Sequence, residues 1–146
     1  MTQQAEKRFH AAAKGYVFKD DKVLVLYKSE EEARTSVAIE PHIDTPGGSL
    51  EYGEDFEAGL LREVDEETGL DVRIVAPFNT WGYTRPTSQL VGVDFLCEWV
   101  SGEVVLSHEH IDFEWLTLPE IRKRGWYREE TYALAFRLIE LYRQGL

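Results

Sequence analysis

The amino-acid sequence predicts an α/β fold in which a mixed β-sheet lies between helices, an α/β/α sandwich. Three observations carry that expectation. β-prone runs come first, then one helical stretch, then further β-prone runs, then a helical end, an order that suits a sheet covered on both faces. Residues 55–68 place Phe56, Leu60, Leu61 and Val64 in an apolar stripe at helical spacing. Residues 128–143 do the same with Tyr132, Phe136, Ile139 and Tyr142.

Taken in order, residues 11–18 and 23–27 are β-prone and flank Lys19-Asp20-Asp21-Lys22, which predicts a hairpin with an Asp-rich turn. Residues 29–33 are polar and charged, the composition of a loop. Pro46-Gly47-Gly48 marks a turn, with a short strand expected over residues 49–52. The helix over 55–68 has Asp55 near its start and Gly69 just past its end. Strands are expected at 70–77, 90–100 and 111–116, with a further short one at 103–106 after Ser101-Gly102. Residues 79–89, rich in Gly, Thr and Pro, read as a loop, and 118–123 as a short helix before the long one. With no internal repeat, linker or low-complexity tract, residues 1–146 are expected to form one domain.

The chain has 146 residues and a formal net charge of −11. That acidity argues against polymeric nucleic acid as a partner, because such binding rests on Lys and Arg neutralising phosphates. A small phosphate-bearing ligand stays open, since metal ions can cancel charge on both sides. No apolar run approaches the length of about 20 residues that a bilayer requires, and the start, MTQQAEKRFH, has no apolar leader core. A soluble, cytoplasmic protein is therefore expected, with no membrane partner. The single cysteine, Cys97, lies in the apolar run LVGVDFLCEWV and reads as a buried small residue rather than a catalytic thiol.

The informative stretch is Gly48 to Leu70, GSLEYGEDFEAGLLREVDEETGL. Glu63, Glu66 and Glu67 project from one side of a helix, where like charges repel. A hard divalent cation between them would turn repulsion into attraction, and oxygen ligands suit Mg²⁺ or Mn²⁺. A solvated helix face presents the same residues, so spacing alone leaves both readings open. Arg62 can brace the acidic face, toward Glu66 or toward Glu54, and Gly47 and Gly48 let backbone approach a metal and offer a carbonyl.

The same stretch resembles the Nudix box: Gly48, five residues, Glu54, seven residues, Arg62-Glu63, Val64, one residue, Glu66-Glu67, one residue, Gly69, Leu70. Every defined position matches. The Pro46-Gly47-Gly48 entry, the preceding hairpin and the later Glu109…Trp115 stretch are also similar to that family, while Ile43 stands where many members carry tryptophan. The resemblance implies a Nudix-type α/β/α sandwich and a MutT-like pyrophosphohydrolase. Such an enzyme would use Mg²⁺ or Mn²⁺ to cleave a diphosphate linkage in a nucleoside di- or triphosphate derivative by water attack on phosphorus.

The implied metal ligands are Glu63, Glu66 and Glu67, with the Gly47 carbonyl. Arg62 would orient the glutamates and Glu54 would hold Arg62. The proton acceptor is either Glu63 or Glu109, which His108 and His110 flank. An aromatic such as Trp81 or Tyr83 could stack on a base, and Arg85 and Arg34 are candidate phosphate clamps. The partner implied is a small nucleotide-like molecule, and the apolar C-terminal helix permits a homodimer. The alternative is a non-catalytic nucleotide or metabolite sensor on the same fold, against which the intact glutamates argue.

Overall fold

The computed structural model describes residues 6–36 and 38–145; the reading of residues 1–5 as lacking leader character lies outside these. β1 (Arg8–Lys19) turns through Asp20-Asp21 into β2 (Lys22–Lys28). Asp20 takes a φ of 56°, a left-handed conformation that a short polar side chain tolerates. There follow α1 (Glu30–Thr35), β3 (Ile43–Asp44), β4 (Gly47–Ser49) and α2 (Phe56–Thr68). β5 (Asp71–Thr84) and β6 (Ser88–Ser101) form a long hairpin, and β7 (His110–Leu116), α3 (Leu118–Arg124) and α4 (Glu129–Arg143) complete the fold.

The strands form one mixed sheet in the order β3-β2-β1-β6-β5, with β4 paired to β1 and β7 to β2. The β1–β6 pairing is parallel from Arg8↔Ser88 to Phe18↔Glu98, and the other pairings are antiparallel. Strand residues alternate between faces, and the core divides accordingly. Ala13, Val17, Leu24, Leu26, Phe95 and Cys97 pack against Leu60 and Val64 of α2. Tyr16, Phe18, Val23, Val25 and Leu96 pack against Ile121 of α3 and Tyr132, Ala135 and Ile139 of α4. Cys97 is fully buried, and burial pushes its thiol up to about 12, the state of a packing residue. Tyr142, expected on the apolar face of the last helix, is exposed beyond the sheet.

Four local expectations fail, each for a physical reason. Residues 29–33 enter a helix, because the Ser29 side chain accepts from the Glu32 amide at 3.3 Å and Glu30, Glu31 and Glu32 fill the first turn. The strand expected at 49–52 ends at Ser49, since the Glu54 carboxylate takes the Glu51 amide at 2.7 Å and turns the chain. Residues 103–106 are not a strand: the Val105 amide donates to the Thr68 carbonyl at 2.9 Å, so this segment satisfies the end of α2 instead of a sheet. Residues 79–89 are mostly strand, paired from Asn79↔Asp94 to Thr84↔Gln89, with the loop confined to Arg85, Pro86 and Thr87.

Helix α2 is fixed at both ends. The Asp55 side chain accepts from the Ala58 amide at 2.8 Å, and Gly69 closes the helix at a φ of 69°. Leu60, fully buried, seats it on the sheet opposite Gly15, where an added Cβ would lie 3.4 Å from the Leu60 side chain. Leu60→Ala should cost about 2–5 kcal/mol of stability, the range for a leucine truncated in a tight core. A urea titration checks this, and a midpoint unchanged from wild type would mean that α2 is not anchored there.

Candidate active site

Five segments converge at the open end of the sheet near β3 and β7. Gly47 opens β4 at a φ of 134°, and a Cβ there would strike the Ala13 carbonyl oxygen and lie 2.7 Å from Lys14 Cα. Only glycine lets β4 run this close to β1. The Gly47 carbonyl accepts from Lys14 Nζ at 3.2 Å. Lys14 Nζ also pairs with Asp44 Oδ1 at 2.8 Å, with 14% and 11% of the two side chains exposed. The second Asp44 oxygen meets His110 Nε2 at 2.9 Å.

Asp44 thereby sets the imidazole. Burial would raise its carboxyl, but the Lys14 charge and the His110 bond hold it well below the usual carboxylate range, so it is ionised and accepts. Nε2 then carries a proton to donate, and Nδ1 faces Glu67 Oε2, 3.9 Å away. Glu67 is 3% exposed, and neither Oε2 nor His110 Nδ1 has a hydrogen-bond partner. Burial pushes the Glu67 carboxyl up to about 9; Lys14 opposes the rise, and Asp44 and Glu63 add to it. Ligand atoms of Asp44, Glu67 and His110 all lie within 4.8 Å of one another, a group that could hold a metal ion. Two buried polar atoms left without partners beside a carboxylate fit a cation, which would displace the proton that burial otherwise holds on Glu67.

The other box residues surround Arg62. Its Nε and one terminal nitrogen grip Glu54 at 2.8 and 2.9 Å in a two-pronged pair. The remaining contacts reach the Ser49 carbonyl at 3.2 Å, Glu63 at 3.1 Å and Glu66 at 3.3 Å. The Arg62 bond holds the Glu54 carboxyl down near 2. Glu63 lies against Gly48, where a Cβ would sit 3.0 Å from its carboxyl carbon. The Glu66 side chain is 57% exposed. Glu67 turns inward with Asp44 and His110 and its carboxyl meets that of Glu63 at the backbone entry, while Glu66 faces solvent and Arg62.

A cleft opens from this cluster between the sheet and the start of α4, with Lys14, Asp44 and Gly48 in its lining. Trp81, Tyr83, Trp126, Tyr127 and Arg128 line it as well. Trp81 lies over Gly92, which has no Cβ to exclude the ring, and its Nε1 donates to Asp94 at 2.8 Å. Asp94, 1% exposed, also accepts from Asn79 at 2.8 Å, and burial raises its carboxyl.

Of the proposed phosphate clamps, Arg85 is exposed in the hairpin turn and Arg34 is exposed on α1, its Nε donating to the Glu30 carbonyl. Neither lines the cleft. Glu109 is half-buried just before β7; its carbonyl accepts from the Ser29 amide at 3.1 Å, and its carboxylate makes no hydrogen bond or ion pair among the described residues. Sequence reasoning did not single out Lys14, Asp44 or Arg128, and it placed His110 only as a neighbour of Glu109.

The model of the NUDIX domain matches residues 8–136, a span that includes both the acidic cluster and the cleft. The chain belongs to the Nudix family. A Haemophilus influenzae protein named NAD-capped RNA hydrolase NudC is 38% identical over 86 residues, covering 56% of this chain and 32% of that protein. The Nudix chain thus spans about a third of the length of such relatives. A Methanocaldococcus jannaschii ADP-ribose pyrophosphatase is 24% identical over 121 residues, covering 82% of this chain and 68% of the relative. The crystal structure of a MutT protein from Methanosarcina mazei superposes with a TM-score of 0.70 at 24% identity, covering 96% of this chain and 99% of that one. At that identity the likeness establishes the shared fold.

The two entry glycines of this Nudix domain separate fold from site. Gly47→Ala should cost roughly 2–4 kcal/mol, since a Cβ meets backbone at a strained φ. Gly48→Ala should change stability by less than about 1 kcal/mol while pushing the Glu63 carboxylate aside and weakening divalent-metal binding. Thermal melts and metal titrations of both variants check this; equal stability losses would refute the assignment.

Proposed function

We propose that this protein is a pyrophosphohydrolase that cleaves the diphosphate linkage of a small nucleoside di- or triphosphate derivative, with Mg²⁺ or Mn²⁺. The observation that carries the reading is the facing pair of buried, unpartnered atoms, Glu67 Oε2 and His110 Nδ1, beside a cleft lined by aromatic rings. Hydrolase-named relatives support it.

Glu67, Glu63 and the Gly47 carbonyl would hold the metal, with His110 as a nitrogen ligand and Glu66 on the outer side. A divalent ion there would neutralise phosphoryl charge and activate water. The protein's own part is positioning. Arg62 and Glu54 keep Glu63 in place, and Asp44 fixes the His110 tautomer while neutralising Lys14. Lys28, in the cleft lining and without an ion pair among the described residues, meets the phosphate oxygens. Water attacks phosphorus, the bridging P–O bond breaks toward the leaving phosphate, and the water's proton passes to a carboxylate, the candidates being Glu63, which lies against Gly48 of the cleft lining, and Glu109, whose carboxylate is uncommitted. Trp81 and Tyr83 receive the base by stacking. Such a substrate is small enough to be held within the cleft, in keeping with a chain of charge −11.

Glu67→Gln should lower kcat by at least about a hundredfold, as loss of a metal ligand does. It should leave melting in EDTA unchanged, because the amide mimics the protonated carboxyl. Mg²⁺ should raise the wild-type melting temperature and not that of the variant. Full turnover by Glu67→Gln on a nucleotide panel would overturn the metal assignment.

A further inference from the structure

We propose that Arg128 makes the aromatic lining of the cleft selective for a 6-oxopurine ring, guanine or hypoxanthine, over adenine and the pyrimidines. The inference takes from the preceding reading only that a nucleotide occupies this cleft.

The aromatic lining is rigid. Trp81 is pinned by Gly92 beneath it and Asp94 at its nitrogen, and packs on Tyr83 with ring centroids 5.5 Å apart. Trp126, also in the lining, packs on Tyr132 at 6.2 Å. Both Asp94 oxygens are taken by Asn79 and Trp81, and the residue is closed off, so it holds the wall and offers nothing to a ligand.

Arg128 differs. It is half-buried at the start of α4, lines the cleft, donates to the Tyr83 hydroxyl at 3.4 Å and lies against the buried Tyr16 hydroxyl. No carboxylate among the described residues lies within ion-pair distance of it. A guanidinium carries five donors in a planar fork, more than the Tyr83 and Tyr16 hydroxyls can take up, and aromatic rings line the cleft beside it. The missing component is a planar ligand edge with two adjacent acceptors. Guanine and hypoxanthine present one, O6 beside N7. Adenine puts an amino donor at that place, cytosine an amino donor, and thymine or uracil a lone carbonyl.

The test is calorimetric titration of the full chain with GMP, IMP, AMP and UMP in Mg²⁺. These probes contain no diphosphate bond, so the ranking is read apart from turnover. GMP and IMP should bind at least about tenfold more tightly than AMP and UMP. Arg128→Met should bring GMP to the AMP level, leaving AMP within about threefold of wild type. Arg128→Lys should also lose the preference, because an ammonium keeps the charge without the fork.

AMP binding as tightly as GMP would overturn the inference. Arg128→Met weakening all four ligands alike, with Arg128→Lys restoring them, would also overturn it and make Arg128 a phosphate contact. Near-UV circular dichroism reports folding of each variant; if Arg128→Met fails to fold, the wild-type ranking and Arg128→Lys decide. A clear GMP preference without hydrolysis of any GDP derivative would sink the hydrolase reading alone. Equal hydrolysis of GDP and ADP derivatives, with equal GMP and AMP binding, would sink this one alone.

Discussion

A carboxylate that is 97% hidden from water, with one oxygen unpartnered, sets the constraint around which this molecule is arranged: Glu67 on α2. Burying an isolated charge is costly unless the group takes up a proton or finds a cation. The protein supplies one cation, Lys14, but commits it to Asp44 at 2.8 Å and to the Gly47 carbonyl. Asp44 in turn holds His110. The result is a set of groups in which each local demand is met except at Glu67 Oε2 and His110 Nδ1. That residual demand is positional, since both atoms belong to helix and strand ends that the core fixes.

Arg62 solves a second problem on the same helix. Three glutamates spaced three and four apart repel, and the last turn of α2 has no basic residue to relieve them. Arg62 is an i,i+4 partner for Glu66 and a neighbour of Glu63, but its strongest grip is on Glu54, outside the helix. Anchoring at Glu54 gives the guanidinium one fixed orientation, from which it reaches Glu63. Glu54 also caps the Glu51 amide, so the turn before α2 and the acidic face are held by one pair of side chains.

The box was legible in the sequence because its geometry is local. Asp55 and Gly69 cap a helix whose spacing alone puts the glutamates on one side, and the glycine entry precedes it directly. Asp44, Lys14 and His110 were not legible as a group, because they meet only through long-range pairing. β2 brings Asp44 opposite Leu26 and, past a bulge at Tyr27 and Lys28, brings His110 opposite Lys28. The cleft wall was misread for a different reason. Gly82 and Pro86 disguised residues 79–89 as a loop, yet Asn79, Trp81 and Tyr83 alternate, and across the hairpin Asp94, Gly92 and Leu90 alternate opposite them. A period of two on both sides of a short turn was the available signal.

The overall acidity of the chain and the character of its cleft are separate quantities. Among the ionisable side chains that line the cleft, Lys14, Lys28 and Arg128 face Asp44 and Glu40, a balance opposite in sign to that of the whole molecule. Asp44 is paired with Lys14 and hydrogen-bonded to His110, and Glu40 is turned to the Tyr127 amide at 2.6 Å, where it ties the loop before β3 to the loop before α4. The cations left uncommitted, Lys28 and Arg128, are therefore those a phosphate-bearing ring compound would meet first. Surface charge at distances beyond about 10 Å is largely screened at physiological salt, so a net charge of −11 governs what approaches along the outside. What is retained within depends on the lining, and there the balance favours an anion.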